Sequence, residues 1–278
     1  MNQATAELTF ADTQRPLIDT HCHLDDPVFD ADRAAVLEAS ADAGVLGWVN
    51  IGFCPERWAS TIELSQQTVG MQHALGMHPQ HVREWSTQTK IELRARLLSS
   101  RAIAVGEIGL DYYRGVQDQA AQRRVFAEQL DLSLELGMSV IIHQRSAEDD
   151  LVSILQELPH QHPVLLHSFD AGERVAGLAR ERGYFIGVGG LATRPRNVAL
   201  REILASFSLH QIVLESDAPY LVPQGLADRR NTPASVAHIA HFLAGLHNVS
   251  RDQVTASTTA NALKFFGPDL LPNAGQTP

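Results

Sequence analysis

Two histidines, His21 and His23, stand two residues apart at the end of a short apolar run, residues 17–20. Because successive side chains along a strand alternate between its two faces, the two imidazoles point to the same side. A pair of neutral imidazoles at a strand end suits Zn, Mn, Fe or Co as half of a binding site. In a chain with 13 histidines, however, this spacing alone does not distinguish a metal ligand from a chance arrangement.

Metal-ligating side chains also follow four later apolar runs, at the point where each predicted strand ends. They are Glu107 after residues 102–105, His143 after 139–142, His167 after 163–166 and Asp217 after 211–214. Each alone has an ordinary interpretation, as a hydrogen-bonded packing residue, a helix N-cap or the partner of an arginine. Their repeated placement favours one shared metal site. Six ligands exceed the roughly three that a catalytic zinc keeps, so we predict two divalent ions, Mg, Mn or Zn, that share a carboxylate and support metal-assisted hydrolysis.

The elements that must position these residues are eight short apolar runs that alternate with amphipathic helical patterns. The predicted strands cover residues 17–20, 48–51, 73–76, 102–105, 139–142, 163–166, 184–188 and 211–214. This alternation predicts a parallel sheet of the α/β class, and eight strands fit a single (β/α)8 TIM barrel with extra C-terminal helices. An open doubly wound sheet is the alternative, but no glycine fingerprint follows the first strand. The carboxyl ends of barrel strands converge on one mouth, where barrel active sites lie.

Composition limits the class of protein and its partners. The chain has 278 residues, 44% of them hydrophobic, and a formal net charge of −10. We predict one barrel domain over residues 16–267, with a mobile N-terminal tail over 1–15 and a C-terminal tail over 268–278. Two cysteines without a CxxC pair, and no apolar segment of signal-peptide or membrane-span length, favour a cytoplasmic protein with no membrane partner. The negative charge argues against extensive contact with a nucleic-acid duplex.

Seven segments carry the candidate ligands and their neighbours in chain order. They are Ile18-Asp19-Thr20-His21-Cys22-His23, Gly76-Met77-His78-Pro79, Val105-Gly106-Glu107-Ile108-Gly109-Leu110-Asp111, Ile142-His143-Gln144-Arg145, Leu166-His167-Ser168-Phe169, Leu214-Glu215-Ser216-Asp217-Ala218-Pro219 and Arg230-Asn231-Thr232-Pro233. In this order they resemble the motifs of the TatD family of metal-dependent deoxyribonucleases, from about residue 17 to residue 266. An ordered set of this length is far more specific than a single His-X-His pair.

The resemblance implies an amidohydrolase-type metallohydrolase with a TIM-barrel fold. It implies one metal held by His21, His23, Glu107 and Asp217, and a second held by Glu107, His143 and His167. In such barrels the position that matches Asp217 also takes the proton from the attacking water, which gives it a general-base role. Many two-metal relatives bridge their ions with a carboxylated lysine on the fourth strand. Glu107 stands in that place here, as in the TatD branch.

Two segments depart from the family's usual pattern. Residues 143–146 read His-Gln-Arg-Ser where His-Ser-Arg-Asp is common, and residues 167–171 read His-Ser-Phe-Asp-Ala where His-Cys-Phe-Ser-Gly is common. The changes leave every proposed ligand in place. They fall in loops that would touch substrate, so they bear on substrate preference rather than on hydrolysis.

Several further residues are candidates for contact with substrate or ligands. Three of them suit recognition of a phosphate group, with a loop turn or solvated ion pairs as the alternative: His78, Arg145 and Arg230. Tyr112 and Tyr113 follow Glu107 and either stack on a base or, more simply, pack on the barrel rim. Glu215 shares a strand face with Asp217, and the alternation predicts that it orients His21 or His23.

These features predict a divalent-metal-dependent hydrolase that cleaves phosphodiesters at DNA ends, most simply single-stranded ends. A strand end in a metal-lined cup needs few phosphate contacts, which suits an acidic protein. One alternative is the same machinery acting on an amide, ester or lactone carbonyl of a small substrate. Another is a non-catalytic barrel that its metals merely stabilise, although a structural site closes its coordination shell. The sequence leaves the oligomeric state open.

Overall fold

A computed structural model of the chain describes residues 15–113, 118–227 and 229–273. The predicted N-terminal tail lies, except for Arg15, outside the described residues. Eight strands form one parallel sheet in the order β1 to β8. Their bounds are β1 Leu17–Cys22, β2 Val45–Gly52, β3 Met71–Leu75, β4 Ala104–Asp111, β5 Val140–Arg145, β6 Val164–Leu166, β7 Phe185–Val188 and β8 Ile212–Leu214.

The last strand returns to the first and completes the barrel. Thr20 Oγ1 donates to the Leu214 carbonyl at 3.0 Å, and the Asp217 amide donates to the His21 carbonyl at 2.9 Å. The Ser216 amide donates to Asp19 Oδ1 at 2.9 Å. The predicted (β/α)8 barrel is therefore confirmed.

Helices cover the outside of the barrel and follow the strands in turn. Their bounds are α1 Arg33–Asp42, α2 Pro55–Gln67, α3 Thr87–Ser100, α4 Gln119–Leu136, α5 Glu148–Gln156, α6 Glu173–Arg182, α7 Gly190–Thr193, α8 Val198–Ser206, α9 Ser235–His247 and α10 Arg251–Phe266. The predicted C-terminal helices correspond to α9 and α10. Within the described ranges, no helix combines the length and the apolar character that crossing a bilayer requires.

The apolar core has two layers, because alternate strand residues point inward and outward. Outward-facing residues such as Leu17 and Trp48 pack under the helices. The interior is one cluster that draws on all eight strands: Ile18, Val49, Ile51, Ala74, Ala104, Ile141, Leu165, Phe185 and Val213. Filling of this kind makes the barrel a packed core that leaves only its mouth free for chemistry.

The end of α10 and the residues that follow it close the end of the barrel opposite the mouth. Phe266 and Leu270 join the interior cluster, and Leu270 is fully buried in the 3-10 helix Pro268–Leu270. The Gln72 amide group donates to the Asp269 carbonyl at 3.1 Å. The predicted start of the C-terminal tail at residue 268 is therefore too early, because an apolar side chain beyond it fills the barrel.

Strand β4 is longer than predicted and runs from the interior to the mouth. The sequence prediction ended it at Val105, whereas the strand continues to Asp111. Its glycines allow close approach to β5: a Cβ on Gly109 would lie 2.0 Å from the His143 carbonyl oxygen, and Gly109 has φ +140°. This glycine-rich run carries Glu107 into the centre of the mouth.

Candidate metal centre

The end of β1 presents His21 and His23 to two carboxylates, Glu107 on β4 and Asp217 after β8. His23 Nε2 lies 3.4 Å from Asp217 Oδ1 and 3.9 Å from Glu107 Oε1. His21 Nε2 lies 3.7 Å from Glu107 Oε2 and 3.9 Å from Asp217 Oδ1. On the other side of the His23 ring, Nδ1 lies 3.2 Å from the Ile51 carbonyl oxygen. That contact favours the tautomer with its proton on Nδ1, which leaves Nε2 free to act as a ligand.

The ends of β5 and β6 bring His143 and His167 to the other side of Glu107. His167 Nε2 lies 2.9 Å and His143 Nδ1 lies 3.5 Å from Glu107 Oε2. The same two nitrogens are 3.1 Å apart. Glu107 thus has a carboxylate oxygen within 4.0 Å of a ring nitrogen of each of the four histidines.

Several ring nitrogens in this cluster are buried without a hydrogen-bond partner. They include both nitrogens of His21, Nε2 of His143 and Nδ1 of His167. An unpaired buried polar atom costs free energy, so nitrogens of this kind call for a ligand. His21, His23 and Asp217 place one donor atom each within 4.8 Å of one another, as do His78, Glu107 and His143. The side chains therefore fit divalent cations.

The charges of the cluster are strongly coupled. Burial opposes ionisation of Glu107, but the neighbouring His78 and His167 and hydrogen bonds from His143 and His167 outweigh it and hold the pKa of this carboxyl well below its usual range. Burial, together with the charge of His167, lowers the pKa of His21 well below its usual value. Glu107 is therefore a carboxylate and His21 a neutral imidazole, the forms in which these side chains bind metals.

Backbone conformation departs from the usual regions at several positions around the mouth, Asp217 and Ser168 among them. Asp217 has φ +56° and Ser168 has φ +45°, a conformation that residues other than glycine rarely adopt. Asp217 is held there by the bond from its amide to the His21 carbonyl. Such conformations concentrate at functional sites, where surrounding contacts hold them.

Glu215, which follows β8, supports the cluster and makes its shortest contact in the cluster with His167, a histidine that the sequence analysis did not name for it. Its Oε1 accepts a hydrogen bond from the Ser168 amide and lies 3.7 Å from His167 Nδ1. Gly187 makes room for it, because a Cβ there would lie 2.0 Å from Glu215 Oε2. Ring nitrogens of His21 and His167 and a Glu215 oxygen lie within 4.8 Å of one another, so the predicted role towards His21 stays a prediction, and the structure adds the contact with His167.

The cluster lies at the floor of a cleft of about 490 Å³. Among the predicted substrate contacts, His78 and Arg145 line this cleft, with the His78 ring 4.4 Å from that of His143. Arg230 is not among its lining residues: its Nη2 lies 2.6 Å from Asp32 Oδ2, and its guanidinium carbon lies 4.5 Å from the Phe29 ring centroid. In this structure Arg230 therefore forms an ion pair, which was the alternative interpretation, and its contact with phosphate stays a prediction.

The two predicted tyrosines lie at the rim. Tyr112 donates to Asp150 Oδ2 at 2.5 Å, which supports the packing interpretation. The Tyr113 ring lies 3.8 Å under the guanidinium carbon of Arg145 and is 62% exposed, so it holds this arginine at the edge of the cleft.

Sequence reasoning did not single out several residues that line the cleft: Phe53, Asp111, Arg194, Arg196 and Tyr220. Asp111 Oδ2 lies 3.7 Å from His143 Nε2. Strand alternation was a usable signal for it, because Asp111 follows Glu107 by four positions on one strand. The two arginines lie in the segment that joins α7 to α8, where no periodic sequence pattern indicates which way a side chain points.

A closed parallel barrel with a buried cluster of histidines and carboxylates at its mouth defines the class of metal-dependent barrel hydrolases. The sequence model described as "TatD related DNase" matches residues 18–267. The chain belongs to this family, which confirms the resemblance drawn from the motifs.

Relatives of known name support the same assignment. The chain is 31% identical over 257 residues to the "3'-5' ssDNA/RNA exonuclease TatD" of Erwinia billingiae, across 90% of this chain and 98% of that protein. It is also 31% identical to the "uncharacterized metal-dependent hydrolase YjjV" of Escherichia coli, across 90% of this chain and 97% of that one. The crystal structure of YjjV superposes with a TM-score of 0.85, over 91% of this chain and 98% of that chain.

Proposed function

We propose that this protein is a divalent-metal-dependent hydrolase that removes nucleotides from the ends of single-stranded DNA. One observation carries the proposal: four histidines surround the shared carboxylate Glu107 at the barrel mouth, with buried ring nitrogens that have no other partner. The family model and the exonuclease name of the Erwinia relative support a nucleic-acid substrate.

The donor atoms favour two ions, Mg, Mn or Zn, in neighbouring positions. His21, His23, Glu107 and Asp217 would hold one, and Glu107, His143 and His167 the other. Bound divalent ions supply Lewis-acid chemistry, polarising the phosphodiester and making water a stronger nucleophile. The histidines hold Glu107 in its charged form, so the protein supplies a preformed negative site with little reorganisation on binding.

Asp217 is the residue that accepts a proton during hydrolysis. Its carboxylate is 13% exposed, so it reaches the cleft while the buried side chains around it exclude most water. His23 Nε2 and the positive-φ backbone fix its orientation. A carboxylate in this place takes the proton of the attacking water and passes it to solvent through the cleft.

Three arginines give the cleft its local affinity for phosphate, although the whole chain is acidic. Arg145, Arg194 and Arg196 line the cleft. None of them has a carboxylate within 4.0 Å among the described residues, so their guanidinium groups stay available to a nucleic-acid backbone. Contacts limited to one cleft favour a strand end over a long duplex.

The test is nucleotide release from end-labelled single-stranded DNA by metal-stripped protein that is resupplied with Mg, Mn or Zn. We expect release only with metal, and a loss of at least about 100-fold in Asp217→Asn. The matched control is Asp131→Asn, which makes the same change on an exposed position of α4.

The order in which 5' and 3' labels are freed gives the direction of cleavage. If the metal-loaded protein releases no nucleotide, the phosphodiester assignment is wrong. Amide, ester and lactone substrates then become the next panel, because the same metal chemistry attacks a carbonyl.

A further inference from the structure

A second group of metal-ligating side chains lies beside the cleft, outside the cluster at the mouth, and reaches the cleft wall through His81. Cys54, Glu56 and His81 offer a thiol sulfur, a carboxylate oxygen and an imidazole nitrogen, and these atoms lie within 4.8 Å of one another. Glu84 adjoins them, because its Oε1 lies 2.8 Å from His81 Nδ1. We call these four residues the wall cluster.

Two separate loops supply the wall cluster and are tied together by backbone. Cys54 is the N-cap of α2, and Glu56 lies in the first turn of that helix. His81 and Glu84 lie in the 3-10 helix Pro79–Glu84, which follows β3. The His78 amide donates to the Phe53 carbonyl at 2.8 Å and holds the two loops side by side. The donor atoms are therefore brought together by the fold, not by neighbouring positions on one helix.

The wall cluster carries more acidic groups than basic ones. In the part of the chain that the structure describes, neither Glu56 nor Glu84 has a lysine or arginine nitrogen within 4.0 Å, and His81 is the sole ion-pair partner of Glu84. Arg57, the nearest arginine in sequence, is directed to Asp25 and Asp26. The Cys54 side chain is nearly buried, and this burial together with its hydrogen bond to Glu56 raises the pKa of the thiol to about 12.

We propose that the wall cluster binds a thiophilic divalent cation of the zinc type, separate from the ions of the mouth. A thiolate, an imidazole and carboxylates are the donors that Zn²⁺ takes in proteins, with bonds of about 2.0–2.3 Å. Glu56 is exposed, so its carboxylate is free to turn towards an ion held by Cys54 and His81. On binding, the sulfur–hydrogen bond of Cys54 breaks, its proton passes to solvent and its sulfur electron pair binds the ion.

The donor types distinguish this site from the mouth. The mouth offers nitrogen and oxygen donors, which suit Mg²⁺ and Mn²⁺ as well as Zn²⁺, whereas a thiolate donor selects zinc-like ions over Mg²⁺. The Phe53 ring lies 5.6 Å from the His81 ring and 5.2 Å from the His23 ring. An ion in the wall cluster would therefore lie next to the cleft wall that Phe53 and His81 form. The proposal does not depend on the reaction that the mouth performs.

Titration of the metal-stripped full chain with Co²⁺ tests the proposal, because a cobalt–thiolate bond gives a near-ultraviolet charge-transfer band that nitrogen and oxygen ligands do not give. We expect this band in the unaltered protein, its loss in Cys54→Ser and its retention in Cys22→Ala. The second variant is the matched control, because Cys22 is the only other cysteine and its thiol donates to the Val49 carbonyl at 3.4 Å.

A further variant covers the case in which Cys54→Ser does not fold. His81→Asn leaves both cysteines in place, and we expect it to weaken Zn²⁺ binding at this site by at least about tenfold. Excess Zn²⁺ should displace the cobalt band, whereas excess Mg²⁺ should leave it. A titration without a thiolate band, or a band that survives both Cys54→Ser and His81→Asn, would overturn the proposal.

Discussion

The two ends of this barrel differ in the chemistry of their side chains: one is apolar, and the other carries histidines and carboxylates. At the closed end, Phe266 and Leu270 enter the interior and pack on strand residues such as Ile18 and Phe185. At the mouth, five of the strands carry histidines or carboxylates at or just beyond their ends, and several of the buried ring nitrogens there lack a hydrogen-bond partner. A fold pays for such unsatisfied groups only where something else binds them, so stability resides at one end and chemistry at the other.

Two histidines make the same contrast within one sheet. His73 on β3 is buried under α2 and α3, and its ring nitrogens contact Ser65 Oγ at 2.7 Å and Ser100 Oγ at 2.8 Å. His21 on β1 is equally buried, yet neither of its ring nitrogens has a hydrogen-bond partner. Burial alone therefore does not identify a functional histidine. Unpartnered ring nitrogens that lie close to other ligand atoms are the more specific sign.

The largest effect is expected at the shared carboxylate of the mouth. Glu107→Gln keeps the shape but removes the charge that both proposed ions share, so we expect a loss of at least about 1000-fold in metal-dependent turnover, about 4 kcal/mol. Metal analysis after dialysis should show depleted binding, while circular dichroism stays that of the unaltered protein. Full turnover in this variant would contradict the assignment of the chemistry to the mouth.

A substitution at the closed end should do the reverse. Leu270→Ala leaves a cavity in the sealed end and should cost about 3 kcal/mol of unfolding free energy without changing turnover per folded molecule. Urea denaturation measures the cost. The matched control is Leu98→Ala, since Leu98 is 53% exposed and should cost less than about 0.5 kcal/mol. A fall in turnover at full folding would show that the two ends are coupled.

The third prediction concerns pH and the histidine that lies away from the mouth. Burial lowers the pKa of His73 from 6.5 to about 4. Between these values the unfolded chain binds a proton that the folded chain does not, so stability is lost as pH falls through 6.5 towards 4 and is complete above that range. From pH 7 to pH 5 the expected loss is about 2 kcal/mol.

Denaturation of the unaltered protein and of His73→Gln at both pH values isolates this contribution. The variant should lose about 2 kcal/mol less than the unaltered protein over the same interval. Equal losses in the two proteins would mean that His73 does not behave as a neutral packing residue.

The smallest effect is expected at the arginines of the cleft. Replacing Arg194 and Arg196 by alanine should raise KM for single-stranded DNA about tenfold with little change in kcat, and should reduce the salt dependence of binding by about one phosphate per arginine. Arg94→Ala is the control, because Arg94 pairs with Glu135 on the outer surface. An unchanged KM would mean that these arginines do not contact the bound DNA strand.

Much of the mouth was predictable because the ligand residues stand where predicted strands end. His21, His143 and Asp217 each follow a recognisable apolar run, and barrel topology brings such ends together whatever the sequence distance. A glycine after the last turn is a helix stop that the sequence itself displays, and α6, Glu173–Arg182, ends at Gly183 in the left-handed conformation.

Features that depend on contacts between distant segments were not predictable. Arg230 pairs with Asp32 across 198 positions, and no local pattern distinguishes that pair from a phosphate contact. Leu270 follows a proline and reads as part of a tail, yet it fills the barrel. Glu215 reaches His167 only because Gly187, on the intervening strand, has no side chain.

The most direct test of the central claim is an anomalous diffraction map of crystals of the protein grown with Mn²⁺. The account predicts two neighbouring peaks at the mouth, one among His21, His23, Glu107 and Asp217 and the other among Glu107, His143 and His167. A map with no peak at the mouth, in crystals whose solution contains saturating Mn²⁺, would contradict the metal centre and the hydrolysis argued from it.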